Sequence, residues 1–329
     1  MTNMVLPDAA RRVGDWHRPL VAFTGLMLVT AVVSVGGLLL DDRVLTGNPI
    51  WLKPFKFAVS LALYSLTWAW LLSRQRRRSR VLWWSGTTVS VLLTLEMAII
   101  VGQVVRGRTS HFNAATPLDS TLYNLMGTAI TIVWVLGMIQ GLLLLRDRTP
   151  DRALVWAIRL GILIGSVGIG LAFLMLEPTG DQLQAMRHGI AVERVGAHSV
   201  GVVDGGPGMP LTGWSTTGGD LRIPHFVGIH ALQALPLLAM LLTVVARRVP
   251  RLADPRVRTN LVLIAAGAYA ALTGLVTWQA LRGQSLVDPD LWTLSVFGVL
   301  VAATGLAVRA ALAAAAASDP APIRVAAIR

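Results

Sequence analysis

The sequence predicts an all-α, polytopic membrane helix bundle with about eight transmembrane helices, built as a 4+4 parallel internal repeat. Three observations predict it. Of the 329 residues, 54% are hydrophobic and 14% charged, a balance that a water-soluble domain could not hide. The apolar residues come in blocks near twenty long, matching ~30 Å of hydrocarbon. Eight blocks are legible, near 20–40, 54–72, 81–105, 122–145, 153–176, 225–246, 260–281 and 291–317. Matching strings also recur at nearly equal distances. Pro54 in KPFKFAVSLAL lies over Pro224 in IPHFVGIHALQ, and Gln103 in QVVRGRTS over Gln279 in QALRGQS, at offsets of 170 and 176. Four spans return a chain to its starting side, so the halves, about 19–146 and about 152–317, are expected to be parallel repeats within one membrane domain.

The net charge of +12 follows the membrane edges. Nineteen Lys and Arg fall on the side of the termini: Arg11, Arg12, Arg18, the loops holding Arg74 to Arg80, Arg146 to Arg152 and Arg247 to Arg258, then Arg309, Arg324 and Arg329. Nine fall on the other side. By the positive-inside rule both termini are expected in the cytoplasm, with the protein in the inner (plasma) membrane. The basic loops would then meet anionic lipids at the cytoplasmic face, and nucleic acid is not an expected partner. On this topology 177–223 is an extracytoplasmic loop and 318–329 a cytoplasmic tail. The first block is too long, and too weakly followed by a cleavage site, for a signal peptide. The chain has no cysteine, which excludes disulfides, thiolate metal ligands and Cys nucleophiles.

In chain order, the first span carries no ionisable group, and Trp51 with Lys53 and Lys56 follows the outer turn. That collar reads as interfacial anchoring with snorkelling lysines; the alternative for the lysines is to hold an anionic headgroup. Glu96 lies deep in the third span with Gln103 seven residues later on the same helical face. An intramembrane carboxylate marks a functional site or a protonated, hydrogen-bonded structural group. The next outer loop brings His111, Asn113 and Asp119, then Tyr123 and Asn124. Gly161, Gly165 and Gly168 in the fifth span are spaced for close approach to a neighbour. In the long loop, Leu183, Met186 and Ile190 fit one face of an amphipathic helix. A Gly- and Pro-dense run of turns follows, and its apolar anchors Met209 and Trp214 suggest a lid over the helix mouths rather than a flexible linker. Pro224 suits a first helical position, placing His225 at the helix mouth and His230 about 8 Å deeper, with Pro236 expected to kink the helix below.

Glu96, Gln103, Asn124, His230, Gln233 and Gln279 all fall in the outer halves of their spans, with His111 and His225 just above. This predicts a one-sided pocket lined by these groups under the Gly-Pro loop. Three function classes fit. One is an oxidoreductase or electron-transfer module holding haem b or a transition metal through His111, His225 and His230. His225 and His230 are about 140° apart on a helix, so two helices would have to contribute. The second is a transporter or channel using Glu96 as a proton or cation site. The third is a non-catalytic scaffold or lipid-binding protein, in which His230 merely bonds Gln233 or a neighbouring carbonyl.

The strings NPIWLKPFKF, RGRTSHFN and GGPGMPLTGWSTTGGDLRIPHFVGIHALQ resemble an uncharacterised family of bacterial multi-pass integral membrane proteins. The resemblance covers most of the chain from Asn48 to the sixth span. It implies a membrane location and brings no activity with it.

Overall fold

The structure is a computed structural model that describes residues 16–75, 79–145 and 151–317. The basic positions Arg11, Arg12, Arg76 to Arg78, Arg146 and Arg148 and the tail 318–329 lie outside the described residues. Eight helices are long and apolar enough to cross a membrane: α1 (Arg18–Leu40), α2 (Leu52–Ser73), α3 (Arg80–Val105), α4 (Pro117–Leu144), α5 (Arg152–Gly170), α7 (Arg222–Val245), α8 (Pro255–Leu281) and α9 (Leu291–Ala317). A 3-10 turn, Leu171–Met175, extends α5, and a short α6 (Gly180–Arg187) lies in the long loop. The fold is an all-α polytopic bundle. Two two-stranded ribbons, β1 (Val44–Leu45) with β2 (Asn48–Pro49) and β3 (Ser199–Val200) with β4 (Gly219–Asp220), stiffen loops.

The connections after α1, α3, α5 and α8 meet at one end of the bundle. Asn113 bridges Arg194, Gly47 packs on the Gly205 backbone, and the Ser285 hydroxyl donates to the Ser215 carbonyl. Successive spans therefore alternate in direction, and the long loop shares its end with three short connections. We call this the loop side.

Among the described residues, two cores lie between the spans and a smaller one, around Phe112, Met175, Leu221 and Ala280, lies at the loop side. Leu20, Phe23, Met27, Trp68, Val89, Leu93 and Ile100 build one from α1 to α3, joined by Met126 and Val133 of α4. Ala157, Ile164, Ala231, Leu235, Val262 and Ala266 build the other from α5, α7 and α8. The three glycines of α5 do approach a neighbour: Gly161 and Gly165 lie against the Ala231 and Ile229 carbonyls, and a Cβ on Gly168 would collide with the Gly228 backbone. Small residues let the backbones close in where lipid offers no hydrophobic drive for association. Most of α9 faces outward, packed chiefly on α8.

The halves share local geometry as well as packing order. In each, the first two spans pack together most closely, the third packs on both, and the fourth packs on the third. At an offset of 176, α3 and α8 end alike. The Arg108 and Gln284 amides donate to the Gln103 and Gln279 carbonyls, and Gly107 and Gly283 adopt φ of +67° and +72°. This is the Schellman closure, in which glycine takes the left-handed turn without a Cβ clash. Gln103 Nε2 then donates to the Thr109 carbonyl and Gln279 Nε2 to the Ser285 carbonyl, at 3.3 and 2.8 Å. At an offset of 170, α2 and α7 begin alike, with Pro54 and Pro224 both third in their helices.

Several local expectations need correction. Pro224 is not the first residue of α7, because the helix already starts at Arg222; Asp220 accepts the Arg222 amide and so starts the helix earlier. Pro236 lies inside α7, which runs on from Arg222 to Val245 around it. Ile190 lies beyond α6, which stops at Arg187, with Gly189 at φ +70°, and Leu183 and Met186 are exposed rather than packed.

Candidate functional site

On the loop side, between α2 and α7, lies a cavity of about 370 Å³. Its two helical walls are equivalent faces. Leu52, Lys56 and Ser60 of α2 line one, and Arg222, Phe226 and His230, each 170 residues later, line the other. A spacing of four keeps each set on one side of its helix. Clefts between matching helices of repeated halves are where membrane proteins commonly place ligands. Val59 and Leu63, further along α2 from its start, line the cavity with apolar surface and are 41% and 45% exposed.

The lid is held by polar contacts rather than by a large apolar core. Ala114 donates to the Glu193 carbonyl and Val195 to the Phe112 carbonyl, which ties the lid to the α3–α4 connection. Asp204 gathers the centre. It accepts from the His198 and Ser199 amides, from His198 Nδ1 at 2.9 Å and from Arg194 at 3.1 Å. Burial pushes the His198 imidazole down to about 4 despite the Asp204 hydrogen bond. Burial alone would raise the Asp204 carboxyl, yet the His198 hydrogen bonds hold it well below the usual carboxylate range. At pH 7 the pair is thus a neutral imidazole donating to a carboxylate. Trp214 joins the cavity wall and faces the Phe226 ring at 6.4 Å. Met209, the other expected anchor, closes a turn with Trp214 instead.

The polar head of the cavity carries Lys53, Lys56, Arg108, Arg194 and Arg222 against one lining carboxylate, Asp204. Two of these cations are neutralised: Arg194 by Asp204, and Arg222 by a forked contact to the fully buried Asp220. Two others hydrogen-bond neutral groups, Lys56 the Thr212 carbonyl at 2.5 Å and Lys53 the His111 Nδ1 at 3.0 Å. The lysines therefore do not snorkel away from the bundle; they turn into it.

Behind Lys53, His111 Nε2 lies 3.9 Å from Glu96 Oε1. Glu96 is 4% exposed, and its Oε2 has no hydrogen-bond partner among the described residues. Burial, then the Lys53 charge, pushes the His111 imidazole well below its usual range. It is neutral at pH 7, accepts from Lys53 on Nδ1, and carries its proton on Nε2 toward Glu96. Phe112, buried at φ +60°, packs its ring against both His111 and His198. A non-glycine residue in that region must be held by its surroundings, here by the lid closing over it.

The structure thus joins Glu96 with His111, and brings His111 and His230 to one cavity. The other expected lining residues lie elsewhere. Gln103 and Gln279 anchor helix ends, Gln103 also binding Asp119. Asn124 is exposed on α4. Gln233 accepts from His230 Nδ1 at 3.3 Å and donates to Thr67. His225 Nδ1 donates to the Gly168 carbonyl at 2.8 Å and is absent from the cavity wall. Sequence reasoning missed His198, Asp204 and the Asp220–Arg222 pair. Only the last had a local signal, an acid two residues before an arginine at a helix start. No family model, curated protein or solved structure matches the chain.

Proposed function

We propose that this integral membrane protein is a binding protein for an anionic amphiphile, whose head enters the loop-side cavity while its apolar body lies along α2. The observation that carries this reading is the cavity's polarity: five Lys and Arg against one carboxylate at its head, and the exposed, apolar Val59 and Leu63 at its foot. A cavity of 370 Å³ is at the small end of ligand sites, ~300–1,000 Å³, so it suits a headgroup and the first carbons of a chain. The basic asymmetry of the loops supports a loop side that is extracytoplasmic, and the recurring helix ends support a 4+4 parallel repeat. A reporter fluorescent only in the cytoplasm, fused after Arg329, should light up; a dark fusion with a working periplasmic reporter would reverse the orientation.

The haem or metal reading draws less support. Among the described residues no group of three or more His, Asp or Glu is arranged for a metal ion. An ammonium 3.0 Å from His111 Nδ1 opposes a cation there.

The binding reading is tested by native mass spectrometry of the protein released from nanodiscs of equal phosphatidylglycerol and phosphatidylcholine. Retained phosphatidylglycerol, lost in Lys56→Glu, is expected. Equal retention of both lipids, or none of either, would sink it.

A further inference from the structure

Resting on that reading, we infer that the bound head is a phosphate dianion, a phosphomonoester or diphosphate, seated between Lys53 and Lys56 at the heads of α2 and α7. The two ammonium groups are three residues apart on one helix, where side chains are neighbours. Like charges so placed repel, and no carboxylate lies within ion-pair distance of either among the described residues. Each ammonium has three donors and is shown using one, Lys53 on His111 and Lys56 on the Thr212 carbonyl. The remaining donors face a cavity whose other cations are already matched or, like Arg108, stand exposed at the rim. A bound dianion would hold both amines in their charged form at the edge of a low-dielectric region, offsetting the cost of their burial. A carboxylate or phosphodiester brings one negative charge, whereas a terminal phosphate brings close to two, with three acceptor oxygens.

The helix ends give an independent reason. A side chain caps the N-terminus of α1, α3, α4, α5, α6 and α8, and Asp290 does so for α9. The exceptions are α2 and α7, whose N-cap residues Trp51 and Leu221 make no side-chain cap bond. Asp220 takes the first amide of α7; α2 has no comparable acceptor. The head of α2, Leu52, is on the cavity wall, and an uncapped helix N-terminus favours a phosphate. Glu96 and His111 close the back of the site. His111 Nδ1 meets Lys53 and its Nε2 lies 3.9 Å from Glu96 Oε1, so Glu96 acts on Lys53 through space rather than as a hydrogen-bonded ion pair.

The test uses the full chain in nanodiscs of phosphatidylcholine doped with one lipid of matched chains: phosphatidic acid, with a terminal phosphate, or phosphatidylglycerol, a phosphodiester. Retention of each is read by native mass spectrometry at pH 8, with and without millimolar inorganic pyrophosphate. About tenfold preference for phosphatidic acid is expected. Lys53→Gln should abolish that preference. Lys53→Arg, which restores charge, should recover it. Pyrophosphate that competes with the lipid, or binds where lipid does not, locates the source of the phosphate and supports the inference in either case. Equal retention of the two lipids overturns the dianion inference while leaving the amphiphile reading intact, and retention of neither above phosphatidylcholine, with no pyrophosphate bound, removes both.

Discussion

Asp119→Ala is expected to destabilise the protein by about 3 kcal/mol, the low end for breaking a buried ion pair. Asp119 is fully buried at the head of α4. It accepts from Gln103 Nε2 at 2.9 Å, Arg106 at 2.7 Å and Thr116 at 2.7 Å. Alanine leaves the Gln103 amide short of an acceptor in the bundle and the Arg106 charge without its partner. Arg106 keeps some contact with water, its side chain being 37% exposed, which holds the cost to the lower end. The second half offers an internal control. Arg282, 176 residues after Arg106, pairs with Asp290 at the head of α9, but both partners are about one-third exposed. Asp290→Ala should therefore shift stability far less, as exposed pairs do. Thermal unfolding followed by helical circular dichroism in one detergent reads both variants. Equal shifts would show that burial of Asp119 is not what sets the cost.

Acid should open the lid. The His198 imidazole titrates near 4 under the lid and near 6.5 when freed. The open state thus binds more protons between these values, and the stability of the closed lid rises with pH. The closed lid keeps its full stability above about pH 6.5 and loses it as pH falls toward 4. His111 shifts in the same direction through burial. Asp204, held below its usual range, continues the loss at lower pH. For His198 alone the upper limit is about 3 kcal/mol, from ~1.36 kcal/mol per pH unit. Hydrogen exchange of the His198 and Ser199 amides, which donate to Asp204, measures the opening once intrinsic rates are corrected. Protection is expected to fall from pH 7 to pH 4.5, and His198→Gln should flatten that part of the profile. Constant protection in the parent protein would mean that the Asp204 cluster does not hold the lid.

The eight spans were legible because backbone hydrogen bonding inside a bilayer leaves a single chain few choices, and length with apolar content reports them directly. Block edges missed the helix starts where a polar cap begins the helix outside the apolar run. Thr116 starts α4 at Pro117, and Asp254 starts α8 at Pro255, each five residues before its apolar block. The matching strings do fall in like local settings, Pro54 and Pro224 each third in a helix and Gln103 and Gln279 each tying down the loop beyond one.

That tie is also why the glutamines do not line the pocket. A polar residue near a span end can satisfy itself on its own helix terminus, and sequence does not tell this from facing a cavity. The lysines show the reverse. Lys53 and Lys56 carry the signature of interfacial anchors, and only the fold of 177–221 over them turns that edge into an interior. Sequence alone determined the membrane, the span count and the presence of Glu96 and His111 near one face. Tertiary structure decided that these two meet, that His198 and Asp204 secure the lid, and that the cations converge. Span formation depends on each segment's own backbone and lipid, whereas the site depends on side chains brought together from α2, α3, α7 and three loops far apart in the chain.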